Sequence, residues 1–215
     1  MKKQQKSAEE MHANVPPDWY FVSIRENLLQ RFWHKTRFKE VAKLIEKIDG
    51  KILDIGCADG MFTKVILQKS QAIQIIGIDV LPRSIAWAKK HWKDKRLVFK
   101  VGEAEKLDYP ANTFDAVFAL EVLEHVHDPF AVLAQIKKVL KKGGYGMFLV
   151  PSDSNLFKFI WFFWTKFRGK IWEDTHIQTY RHNYLVSVCK KVGFKIDLEK
   201  KFLLGMLQVV KVRKT

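Results

Sequence analysis

Asp54, Gly56, Ala58 and Gly60 alternate along one short turn, "DIGCADG", directly after an apolar run. An acid closing a buried strand, followed by residues with little side chain, is how a parallel strand hands over to a helix around a bound nucleotide. Two common forms of that turn are excluded by spacing. A dinucleotide fingerprint counted from Gly56 needs glycine where Ala58 and Met61 stand. A phosphate loop needs Gly-Lys-Ser/Thr, and the chain continues Gly60-Met61-Phe62. Elsewhere, His125 and His176 carry the side chain best suited to taking a proton near neutral pH. Cys57 and Cys189 stand far apart and in no metal-ligand spacing. They are expected as free thiols, and no metal site is expected.

Strands and helices must alternate to place these residues. "KILDIG", "IQIIGIDV", "RLVFKV", "FDAVFAL" and "YGMFLVP" are near-continuous apolar runs, expected as five strands, and "KIDLEKK" and "MLQVVKVR" close the chain as two more. Between them "GMFTKVILQK", "PRSIAWAKKHW", "PFAVLAQIKKVLKKGG" and "NYLVSVCKKVGF" predict helices, the third stopped by its glycines. Strands apolar on both faces and separated by helices give an α/β fold with a parallel sheet covered on both sides. Ligands of such sheets bind outside the carboxyl ends of the strands, where Gly56, Asp79, Gly102 and Leu120 fall.

Asp54-x-Gly56-x-Ala58-x-Gly60 resembles the acidic-x-Gly-x-Gly-x-Gly signature of class I S-adenosylmethionine-dependent methyltransferases, with Ala58 for the middle glycine. Asp79 follows nineteen residues beyond Gly60, and "VGEAEKLDYPANTFDAVFALEVLEHVHDP" resembles the type-11, ubiquinone-biosynthesis-like branch. The resemblance runs from Lys51 to about Phe194, with four motifs in order at successive strand ends. It implies a Rossmann-like, doubly wound, seven-stranded sheet, mostly parallel, whose last hairpin is antiparallel. It also implies S-adenosyl-L-methionine as cofactor and S-adenosyl-L-homocysteine as product. In that reading the backbone from Gly56 through Cys57 and Ala58 to Gly60 cradles the methionine and ribose end. Asp54 orients the ammonium group through water, and the Asp79 carboxylate accepts the ribose hydroxyls. Val80 packs on the adenine, Glu103 and Ala104 meet its edge, and Leu120 and Glu121 lie beside the methionine group. Glu103 stands where aspartate is commoner and keeps the carboxylate.

The acceptor is narrowed by what is missing. The Asn/Asp-Pro-Pro-Tyr shared by enzymes that methylate exocyclic amines of nucleic acid is replaced by Ala119-Leu120-Glu121-Val122. Carbon methylation through a thiolate finds neither cysteine well placed. A hydroxyl acceptor needs a base. His125 lies just past the fourth strand, and His176, in "WEDTHIQTYRHNY", matches a segment that lines the acceptor pocket in similar type-11 enzymes. Tyr180 and Arg181 are weaker candidates, and His127 is expected in an exposed turn. Before His176 the run "NLFKFIWFFWTKFRGKIW" mixes aromatics with Lys158, Lys166, Arg168 and Lys170. It is too short to span a bilayer, which takes ~20 residues. Residues 156–170 are expected as a lid over the site, as a peripheral membrane contact, or as both.

The 215 residues, 47% hydrophobic, suit one domain over 18–215, with a helical cap over 18–49 and a lid and acceptor insertion over 152–182. Trp33, His34 and Arg37 in the cap are candidates to touch cofactor or substrate. Residues 1–17, polar and ending in Pro16-Pro17, are expected as a flexible arm. The start lacks the apolar stretch of a secretory leader, so a cytoplasmic protein, in part at a membrane surface, is expected. A net charge of +15 favours anionic partners. The expected activity is methyl transfer to a small or lipid-like acceptor, most plausibly at oxygen. An RNA methyltransferase is one alternative, and a non-catalytic cofactor-binding partner subunit is the other.

Overall fold

Seven strands form one sheet in the order β3-β2-β1-β4-β5-β7-β6. The computed structural model describes residues 7–152, 154–167, 176–181 and 183–215. Strands β1 (Lys51–Ile55), β2 (Gln74–Asp79), β3 (Leu97–Val101), β4 (Phe114–Leu120) and β5 (Leu140–Pro151) pair in parallel. β7 (Leu207–Arg213) runs antiparallel to both β5 and β6 (Lys195–Phe202), as the family resemblance implies. Successive strand residues point to opposite faces, and both faces are covered. Ile52, Phe118 and Leu149 pack with Val41 and Ile66, from helices α3 (Leu28–Ala42) and α4 (Met61–Lys69). Leu53, Val117 and Phe148 pack with Leu133 and Leu185, from α6 (Pro129–Val139) and α8 (Tyr184–Val192). Helix α5 (Pro82–His91) lies on β2 and β3.

Two expectations change. The helix expected over 129–144 ends at Val139, and its glycines belong to β5. A Cβ on Gly144 would lie 2.9 Å from the carbonyl oxygens of Asp115 and Lys141, so glycine there permits close approach of β4, where the register shifts. The arm expected to be loose is packed from Ser7 onward. Ser7 and Glu10 form a capping box that opens the short helix α1 (Ala8–His12). Arg83, near the start of α5, donates to the carbonyls of Ala13 and Val15, and the Val15 side chain is buried. Residues 1–6 lie outside the described residues. So do Arg168 and Lys170 of the expected lid. Among the described residues no helix is long and apolar enough to cross a membrane.

Candidate active site

The strand order reverses between β1 and β4, and the crevice at their carboxyl ends opens into a cavity of about 950 Å3. α1, α2 (Trp19–Glu26) and α3 wall one side, and α7 (Asn155–Phe167) with His176 walls the other.

The floor is the β1–α4 turn. Gly56, Ala58 and Gly60 all adopt positive φ, +67°, +46° and +79°. The two glycines are also required by space: a Cβ on Gly56 would fall 2.3 Å from Val122 Cγ2, and one on Gly60 2.6 Å from Trp92 Cδ1. Across the turn, Asp79 accepts the Ala58 N–H at 2.9 Å and the Leu81 N–H at 2.9 Å. Each carboxylate oxygen thereby keeps a lone pair for the cavity, which Asp79 lines. Burial raises the Asp79 pKa, and the two N–H donors hold it down. Val80, Glu103 and Ala104 also line the cavity.

Four residues expected to hold cofactor, Asp54, Cys57, Gly60 and Leu120, are not on the cavity wall. Asp54 is buried behind the turn, where it accepts the Thr63 hydroxyl at 2.6 Å; burial raises its pKa to about 7. The Cys57 side chain packs into the space beside Gly77, and burial pushes its thiol well up. Leu120, the last residue of β4, packs into the core with Phe118, and Glu121, just beyond the strand at a φ of +61°, lines the cavity.

Asp59 takes a place the sequence did not assign. It lines the cavity, accepts the Phe21 N–H at 2.8 Å and the Met61 N–H at 3.2 Å, and so joins the first turns of α2 and α4. Asp18, the residue before α2, makes no side-chain cap. Asp59 supplies that function from the floor of the site and fixes the helical cap to it. Burial raises its pKa to about 6.

The cap delivers Trp33, His34 and Arg37 to the cavity. Arg37, 1% exposed, pairs with Glu121 and donates to His34 Nδ1, with its guanidinium 5.4 Å from the Tyr20 ring. Burial opposes the charged guanidinium, but the Glu121 carboxylate and the Tyr20 hydroxyl together outweigh it and the Arg37 pKa is raised. Burial and the adjacent guanidinium press His34 down to about 2, so it is neutral. Glu121 Oε1 is buried with no hydrogen-bond partner among the described residues, an acceptor held beside the turn. No local pattern in the sequence links residues 37 and 121.

On the acceptor side, the segment 176–181 is stitched to the 3-10 turn Leu123–His125. The Ile177 and Gln178 N–H groups donate to the Glu124 carbonyl, and Gln178 Nε2 to those of Val126 and His127. Tyr180, buried, donates its hydroxyl to the Leu123 carbonyl at 2.8 Å; it holds the segment rather than facing the cavity. His176 therefore meets His125 edge-on, with ring centroids 5.0 Å apart. Trp161 stacks on His176 at 4.4 Å, and His12 of α1 meets the His125 ring at 4.7 Å. Burial lowers the His176 pKa to about 4, leaving a neutral imidazole at pH 7. One donor atom each from Glu124, His125 and His176 lie within 4.8 Å of one another, an arrangement with the ligand types for a cation. The spacing of these residues in the sequence gave no sign of it. Neither thiol serves as a nucleophile: Cys57 is off the wall, and Cys189, fully buried, has its pKa raised to about 12.

The groups present fit a nucleoside-bearing cofactor: an acid with spare lone pairs, apolar and carboxylate residues beyond it, and volume for a second small molecule. Comparison with known proteins agrees. A family model described as a methyltransferase domain matches residues 25–199. The 27-O-demethylrifamycin SV methyltransferase of Amycolatopsis mediterranei is 31% identical over 150 residues, 61% of this chain and 55% of that protein. The ubiquinone biosynthesis O-methyltransferase of Leptothrix cholodnii is 31% identical over 125 residues, 55% of this chain and 52% of that protein. This chain spans about half the length of these curated relatives. The crystal structure of an S-adenosylmethionine-dependent methyltransferase from Mesorhizobium loti superposes with a TM-score of 0.65. It covers 81% of this chain and 96% of that one at 18% identity.

Proposed function

The chain belongs to the S-adenosylmethionine-dependent methyltransferase family, and we propose that it methylates a hydroxyl oxygen of a small or lipid-like acceptor. S-adenosylmethionine, when bound, supplies a methyl group that its sulfonium already makes electrophilic. The Gly56–Gly60 backbone and the Asp79 carboxylate hold the cofactor's ribose and methionine end. Val80, Glu103 and Ala104 take the adenine, and Glu121 accepts at the methionine end. The acceptor hydroxyl lies against His176, whose neutral ring nitrogen takes the proton as the methyl arrives. His125 stands beside it. Trp161 and the other aromatic residues of α7 exclude water and orient an apolar acceptor. Such positioning is worth ~7–11 kcal/mol in favourable cases.

The observation that carries this reading is one cavity with the Asp79-bearing turn at its floor and a neutral, ring-stacked His176 in its apolar wall. The names of two relatives, both acting at oxygen, support it. Calorimetric titration with S-adenosylhomocysteine is the first test. Micromolar binding lost in Asp79→Ala is expected, and no binding by folded wild-type protein would overturn the cofactor assignment. Incubation with radiolabelled cofactor and phenols, quinols or RNA then reads the acceptor. Label on hydroxyl compounds, reduced about 10²–10⁴-fold in His176→Ala, is expected for loss of a general base. Label on RNA alone would replace this acceptor with a nucleic acid, which the charge of +15 would suit. Cofactor binding with no transfer to any acceptor would mark a partner subunit.

A further inference from the structure

Two separate helices leave large apolar side chains in water at the rim of the same cavity. On the first turns of α3, Leu28, Leu29 and Phe32 are 76%, 81% and 65% exposed. On α7, Phe159, Phe162 and Phe163 are 64%, 56% and 46% exposed. Isolated exposed apolar residues are ordinary, but two clusters flanking one opening are not. Each helix also lines the cavity, α3 through Leu29 and Phe32 and α7 through Ile160 and Trp164. The exposed edges are thus continuous with the apolar interior between them.

We propose that the α3 and α7 edges together dock this chain on an anionic lipid bilayer, cavity mouth toward the membrane, so that the acceptor enters from the leaflet. The inference rests on the lipid-like acceptor proposed above and names the surface from which it comes. Charge selects the bilayer over a second copy. Lys35 on α3 and Lys158 and Lys166 on α7 are exposed, and none pairs with a carboxylate among the described residues. Apposing these edges in a dimer would bring like charges together on two chains of +15 each. An anionic headgroup layer accepts the ammonium groups, while the rings and leucines enter the acyl boundary by ~5–10 Å. The α3 edge is necessary to the geometry: α7 alone would anchor one side of the mouth, and both edges are needed to seat the opening on the surface.

The test is co-sedimentation of the full chain with phosphatidylcholine vesicles, with and without phosphatidylglycerol. Three proteins are compared: wild type, Leu28→Ser/Leu29→Ser and Phe159→Ser/Phe162→Ser. A single cooperative thermal melting transition near that of wild type reports an intact fold in each. Wild type is expected to bind the anionic vesicles and to release them at high salt. Each double variant is expected to lose about tenfold or more in partitioning, given the burial free energy of such side chains. Absence of wild-type binding to anionic vesicles would overturn the proposal, as would wild-type partitioning of the α3 variant. Concentration-dependent dimers abolished by both variants would overturn it in favour of a second copy. Vesicle binding needs no acceptor chemistry, so its failure is separate from failure of methyl transfer to hydroxyl compounds.

Discussion

The two halves of the cavity are built from different materials. The cofactor half is backbone: three residues at positive φ, N–H groups spoken for by Asp79, and a turn on which glycine is fixed by φ and by space together. The acceptor half is side chain: rings of Trp161, His176, His125 and His12 in mutual contact, contributed by segments far apart in the chain. A backbone cradle has one shape and recognises one ligand. A wall of rings can repack, and α7 leaves part of its apolar surface in solvent. One half is therefore suited to a common cofactor and the other to whichever acceptor this chain has come to use.

If that contrast is real, the same size of change should act very differently on the two sides. Gly56→Ala places a Cβ 2.3 Å from Val122 at a φ of +67°. Strain of ~1–3 kcal/mol must be relieved by moving the turn, and S-adenosylhomocysteine affinity is expected to fall about 100-fold. Trp161→Ala, a far larger deletion, is expected to leave that affinity within about twofold, because Trp161 packs on the acceptor side alone. Calorimetry on both variants checks the pair. Equal losses would break the comparison.

The cap that bridges the halves gives the next effect. Arg37→Met leaves the half-buried Glu121 without its guanidinium. Removing one partner of a fully buried pair costs about 3–5 kcal/mol, an upper bound here because Glu121 is partly exposed, to be read from urea denaturation. Arg37→Met/Glu121→Gln removes both charges and is expected to be more stable than Arg37→Met alone. A double variant as unstable as the sum of the singles would mean that the pair is not coupled.

How far the sequence reached follows the same division. Strand ends, glycines and the Asp79 spacing lie within short stretches, so the strands of the sheet and the turn at the floor of the cavity were legible; the strand order was not read, and the antiparallel last hairpin came from the family resemblance. Even there, Leu120 was assigned to the cavity because a motif says which segment approaches a ligand and not which way each side chain turns. Leu120 ends β4 on its core-facing side, and the left-handed backbone of Glu121 just after the strand leaves that residue on the cavity wall. Asp59 was missed although Asp59-x-Met61 is a visible Asx-turn pattern; its second partner, Phe21, is thirty-eight residues away. The pairing of Arg37 with Glu121 spans eighty-four residues and has no local signal. The extent of β5 was misjudged because Gly143 and Gly144 resemble a helix stop, and only the neighbouring β4 backbone reveals what they accommodate.

Acid sensitivity separates the halves next. His176, lowered to about 4 from an ordinary 6.5, binds its proton more readily unfolded than folded. Its contribution is present above pH 6.5 and is lost as the pH falls toward 4. Asp54, raised to about 7 from 3.8, behaves oppositely: its contribution is present below pH 3.8 and is lost as the pH rises through 7. His176→Gln should therefore flatten the loss of melting temperature on acidification between 6.5 and 4. Asp54→Asn should gain on wild type as the pH rises from 3.8 to 7, each by at most ~1.4 kcal/mol per pH unit. Matching slopes for wild type and either variant would remove that residue from the account.

The smallest expected effect probes the one departure in the cofactor turn. Ala58 holds φ at +46°, a left-handed conformation that costs an L-residue roughly 1–2 kcal/mol and glycine nothing. Ala58→Gly removes that cost but gives back about 0.4–1 kcal/mol through the freer unfolded chain. The variant should accordingly be equal to wild type or more stable by up to ~1 kcal/mol, with its N–H still donated to Asp79 and cofactor affinity unchanged. A loss of affinity would instead mean that the Ala58 methyl itself packs on the ligand. The cradle would then be read partly by side chain, and the two halves of the cavity would differ in degree rather than in kind.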